Sequence, residues 1–90
     1  MAADPVVVAC TANTWVKVAT NTKIGTIDKL SLSPNVYKRT YRLTGTGAPT
    51  DDSDAALLFG ESNQHVISHS VEIDVYVKAV GVAGSVRVDL

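Results

Sequence analysis

Towards the C-terminus, apolar and polar residues alternate one for one. In Glu72-Ile73-Asp74-Val75-Tyr76-Val77-Lys78-Ala79, the residues Ile73, Val75, Val77 and Ala79 share one side, and Glu72, Asp74, Tyr76 and Lys78 share the other. Successive side chains of a strand point to opposite faces, so this pattern predicts a strand with one buried and one solvated face. The β-branched residues suit that pleated surface. Gly84-Ser85-Val86-Arg87-Val88-Asp89-Leu90 repeats the alternation, with Val86, Val88 and Leu90 inward. Between the two lies Val80-Gly81-Val82-Ala83-Gly84, short and glycine-bounded, which reads as the connection of a hairpin.

The earlier segments read the same way. Thr14 to Thr20 forms a strand ended by the polar turn Asn21-Thr22-Lys23, and Ile24 to Leu32 forms another, punctuated by Ser33-Pro34-Asn35. Val36 to Thr44 follows, closed by Gly45-Thr46-Gly47-Ala48-Pro49. Ala55 to Phe59 and Gln64 to His69 are further strands, and Pro5 to Cys10 is an edge strand. No window of about 11 residues carries a 3.6-residue apolar repeat, so little helix is expected. Short connections require antiparallel pairing, because parallel strands need a long crossover. The expectation is an all-β, antiparallel β-sandwich or small barrel of about seven or eight short strands. Residues 1–12 would be an N-terminal arm or edge strand, and residues 13–90 a single domain.

Size limits how such a fold is stabilised. A chain of 90 residues buries only about 60–65% of its unfolded surface. Cys10 is the only cysteine, so no disulfide forms within the chain. Association with other copies is the expected supplement. Eight basic and nine acidic residues give a net charge of −1 with no basic run, which argues against a nucleic-acid partner. The opening MAADPVVVACTANTW lacks the positive charge and the long apolar core of a signal peptide. Nothing approaches the roughly 20 apolar residues of a membrane span. No membrane partner is expected.

The stretch Thr50-Asp51-Asp52-Ser53-Asp54-Ala55-Ala56-Leu57-Leu58-Phe59 raises metal chemistry first. Counted from Asp52 as an EF-hand loop, Asp54 falls at the third position, but Ala56 and Leu57 occupy the next ligand position and the glycine position. An irregular calcium site on Asp51, Asp52 and Asp54 is the minority reading, and a solvated turn leading into an apolar segment is the main one. Adjacent acids in one wet environment also make a poor general acid–base pair. His65 and His69 are four apart; on an extended strand their rings would stand about 13 Å from each other, too far to share a metal. They are expected as partly exposed strand histidines. Cys10 lacks an activating neighbour and is expected to pack as a small apolar residue. Gly45-Thr46-Gly47 lacks the lysine of a phosphate loop, and no Gly-x-Ser-x-Gly elbow occurs. No catalytic set and no cofactor are expected.

Partner-binding composition is more evident. Tyr37, Arg39, Tyr41 and Leu43 share one parity of their strand, and tyrosine and arginine are the types enriched at interfaces. Trp15 and Phe59 join them as interface candidates, Trp15 as a cap on the core or a subunit contact. The plainer alternative is a core face with tyrosine hydroxyls at its rim.

Several of these stretches together resemble small structural proteins of tailed bacteriophages. They are Ala12-Asn13-Thr14-Trp15-Val16-Lys17-Val18-Ala19-Thr20, Val36-Tyr37 with Thr40-Tyr41-Arg42 and Gly47-Ala48-Pro49-Thr50, then Ile73 to Ala79 and Gly84 to Val88. The likeness runs from about residue 12 to residue 90 and rests on fold motifs, so it transfers no site residue. It implies a non-enzymatic virion protein, made in a bacterial host's cytoplasm, that decorates or cements a capsid as a homo-oligomer (a trimer in many such proteins) in contact with the major capsid protein. Alternatives are a tail or receptor-recognition component binding a host glycan, and a small bacterial sugar- or calcium-binding module.

Overall fold

In the computed structural model residues 5–30, 36–50, 57–58 and 64–90 are described. The alternating segments form strands, but four of the expected short ones are two long ones. The strands are β1 (Val6–Cys10), β2 (Trp15–Lys29), β3 (Val36–Leu43), β4 (Leu57–Leu58), β5 (Gln64–Val80) and β6 (Gly84–Asp89). They make one antiparallel sheet in the order β1-β6-β2-β5-β3-β4. The all-β, antiparallel expectation therefore holds, with six strands among the described residues.

The expected turn at Asn21-Thr22-Lys23 is a kink inside β2. Asn21 takes φ +50°, and the pairing with β5 shifts register between Lys17 and Ala19, Ala19 and Thr22, and Thr22 and Ile24. A left-handed asparagine serves a turn or a bulge equally well, and here the strand bends without reversing. On β5 the irregularity is larger. Thr22 pairs with Ile73 and Ile24 with Ser68, so His69 to Glu72 all stand opposite Lys23. Both strands thus have two segments. Before the kink in β2, residues 15–22 pair with 73–78 of β5, whose other edge carries β3. Beyond it, residues 24–28 of β2 pair with 64–68 of β5, and β6 then β1 continue the sheet.

β5 and β6 do not form the expected hairpin. The connection Gly81-Val82-Ala83 carries the chain off β5, and β6 pairs with β1 and β2 instead. Proximity in sequence made them look like neighbours, yet a three-residue link that starts at Gly81 with φ +86° can also cross between segments. Asn13 fixes this crossing. With φ +58°, it donates its backbone N–H to the Ala79 carbonyl at 2.7 Å, and its side-chain Oδ1 accepts the Gly81 N–H at 3.1 Å. Ala12 adds a parallel bridge to Ala79. The β1–β2 and β5–β6 crossings are thereby tied to each other.

One apolar cluster draws on both segments of the long strands: Ile27, Ile67, Val86, Val88 and Cys10 from one, Val18, Ala19, Ile73, Val75, Val77 and Ala79 from the other. The parity read from β5 and β6 accounts for most of it. Two assignments are corrected. Leu90 is 39% exposed and lies over Gly25, where an added Cβ would stand 2.7 Å from Leu90 Cδ2 and 3.1 Å from the Asp89 carbonyl. The supposedly wet face of β5 is also closed over at its middle, with Asp74 and Tyr76 only 1% and 4% exposed.

Candidate functional site

Register places a polar group at the rim of the core. Arg39 and Tyr41 of β3 pair with Val77 and Val75, and His65 of β5 pairs with Ile27. Directly paired residues share a face, so all three side chains lie on the side of the apolar cluster. His69 has the same parity as the buried Ile67. Tyr41 joins the two segments: its hydroxyl is hydrogen-bonded to His65 Nε2, and its ring meets His69 edge-on at 4.2 Å between centroids. The His65 ring is 5.9 Å away. Those two distances together fall short of the roughly 13 Å expected for an unbent strand. The spacing failed because His69 opens the irregular stretch of β5 and both rings turn towards one tyrosine. Even so, no group of three or more metal-ligating side chains occurs among the described residues.

Burial acts on His65, Tyr41 and Arg39 in different directions. Burial, with Arg39 and His69 nearby, holds the His65 imidazole well below its ordinary 6.5, at about 4. Burial pushes the Tyr41 hydroxyl up, against the opposing pull of Arg39. Near neutral pH the pair is a tyrosine O–H facing an unprotonated imidazole, neither poised for proton transfer. Arg39 is 6% exposed, its Cζ 4.6 Å from the Tyr41 ring centroid, and its Nη1 is buried with no hydrogen-bond partner. Burial also lowers its pKa, opposed by Tyr41. A cation–π contact contributes about 0.5–2 kcal/mol, whereas taking a charge out of water costs several kcal/mol. The ring therefore does not compensate the buried guanidinium.

A second polar group occupies the opposite face of β5. Asp74 accepts the Asn21 backbone N–H at 3.2 Å and pairs with Lys17 Nζ at 3.4 Å. Lys17 also stands 5.8 Å from the Tyr76 ring centroid, and Thr40 lies opposite Tyr76. This group anchors the kinked strand.

Of the interface candidates, Arg39 is buried and Tyr41 half-buried. Tyr37, on β3, pairs with Ala79 of β5. Trp15 is half-buried under Lys78, whose Nζ is 5.9 Å from the ring, and its Nε1 is buried without a hydrogen-bond partner. Phe59 and the calcium candidates Asp51, Asp52 and Asp54 lie outside the described residues. Cys10 is fully buried, and burial lifts its thiol to about 11. Sequence reasoning missed the grouping of both histidines with Tyr41. The available signal was parity, since His65 and His69 flank Ile67 on one face. In comparisons with known proteins, no family model, no curated protein and no solved structure matches the chain.

Proposed function

We propose that the chain is a non-enzymatic structural subunit that works by joining copies of itself to a larger assembly. Its kinked sheet is read as a β-sandwich or small barrel, supported by the single apolar cluster that both segments feed. The observation that carries the assembly reading is the β1 edge. Among the described residues β1 pairs with β6 alone and stands at the edge of the sheet, where its other side is open to a further strand. The strand is Val6-Val7-Val8-Ala9-Cys10, without a charge, and Val6 and Val7 are 56% and 60% exposed. Monomeric proteins blunt such edges with lysine, proline or bulges. Among the described residues Pro5 alone stands before the strand as such a device. A neighbouring strand added to this edge would satisfy the backbone and cover the valines.

The resemblance to phage structural proteins gives that assembly a setting, a virion in which the subunit decorates or cements the capsid. Light scattering across a concentration series, with Val7→Lys as the comparison, tests the mechanism. The expected outcome is an oligomer that Val7→Lys returns to monomer while leaving the melting curve of the monomer unchanged. A wild-type monomer at every concentration overturns the reading. Co-sedimentation with phage heads tests the setting separately, and a protein that leaves heads in the supernatant sinks the capsid role.

A further inference from the structure

We propose that the rim of the core formed by Arg39, Tyr41, His65 and His69 is a binding site for a small oxyanion, a carboxylate or phosphate group that pairs with the Arg39 guanidinium. One buried donor of this group, Arg39 Nη1, lacks an acceptor. Arg39 is more than nine-tenths buried with Nη1 making no hydrogen bond, and its guanidinium lies against the Tyr41 ring at 4.6 Å. A guanidinium offers five N–H donors in a planar fork that matches carboxylate and phosphate oxygens. Two of the described carboxylates, Asp74 and Asp28, are committed elsewhere. Asp74 is held by Lys17 and the Asn21 amide on the opposite face of β5, and Asp28 pairs with Arg87 at 3.2 Å.

The surroundings favour an anion over a cation. No acidic side chain among the described residues stands with Tyr41, His65 and His69, and the His69 imidazole can supply a further N–H donor once an anion arrives. Tyr41, His65 and His69 are half-buried, so solvent reaches the group beside them. An anion bound there would also favour protonated His65, whose neutral form burial beside Arg39 and His69 now imposes. The site is independent of the β1 edge. A monomer that binds phosphate would refute the assembly and keep the site.

The test is a melting series at pH 7 with inorganic phosphate, with acetate, and with sodium chloride at matched ionic strength. Imidazole proton signals of His65 and His69 are followed by NMR in the same titrations. The expected result is a saturable rise in Tm of about 5 °C or more at saturating anion, accompanied by saturable shifts of both histidine signals. Phosphate acting alone assigns a phosphate group, and acetate acting equally well assigns a carboxylate. Arg39→Met should lose both responses. Melting that follows ionic strength alone, or histidine signals that do not move in the wild type, overturns the site whether or not Arg39→Met folds. An Arg39→Met protein that keeps the wild-type response overturns it as well.

Discussion

Asp74 and His65 show how burial converts single residues into structural commitments. Asp74 holds the kink of β2 through the Asn21 N–H, and its partner Lys17 keeps 43% of its side chain exposed. Removing the carboxylate strands a backbone donor, so Asp74→Ala is expected to cost about 1.5–3 kcal/mol. Asp74→Asn, which keeps an acceptor, should cost less, and Lys17→Ala less than about 1 kcal/mol. Urea denaturation ranks the three; a Lys17→Ala loss equal to that of Asp74→Ala would mean the ion pair, not the amide, holds the kink. His65 sets a pH window. The unfolded chain takes up its proton near 6.5 and the folded chain only near 4. Between those values the unfolded state binds more protons, so this contribution is complete above about pH 6.5 and is lost as pH falls towards 4. Tm is expected to drop between pH 6.5 and 5, and His65→Gln should flatten that slope. An unchanged slope in the variant would place the pH dependence on other groups. Neither commitment was visible in the sequence, because alternation places Asp74 on the face that a half-buried strand offers to water, and only the covering of both faces reverses it.

At the level of elements, the sequence marked where the chain deviates but not how. Asn21 and the residues around His69 to Glu72 were legible as interruptions, since polar and left-handed residues break a strand pattern. Whether the chain turns back or bends on depends on pairing partners far along the sequence, which alternation does not encode. The same applies to Gly81: its glycine signalled a tight connection, while the choice between hairpin and crossing lies with Asn13. That residue does two things at once, holding φ +58° and accepting the Gly81 N–H. Asn13→Gly keeps the backbone freedom and loses the acceptor. Asn13→Ala loses the acceptor and strains the backbone as well. The expected order in chemical denaturation is wild type, then Asn13→Gly lower by about 1 kcal/mol, then Asn13→Ala lower by about 2–3 kcal/mol. Equal losses in the two variants would show that the side-chain bond alone matters.

For the whole molecule, apolar parity placed most of the core correctly, and the antiparallel all-β class followed from short connections. Strand order did not follow, because β1 and β6, far apart in sequence, close one side of the sheet together. Cys10 reports on that closure. It sits at the end of β1, opposite Gly84, is 0% exposed, and belongs to the cluster fed by both segments of β2 and β5. Its thiol, lifted to about 11 from an ordinary 9, carries about a hundredfold less thiolate than an open cysteine near neutral pH. A disulfide reagent at pH 8 should therefore label the native chain at least a hundredfold more slowly than the urea-unfolded chain, and only as fast as β1 opens. If copies pair through the β1 edge, that opening is suppressed further by mass action. Labelling should then slow as protein concentration rises, and Val7→Lys should abolish the dependence. Native labelling as fast as in urea would mean that β1 is not docked on β6, and the edge argued to join the subunits would lose its foundation.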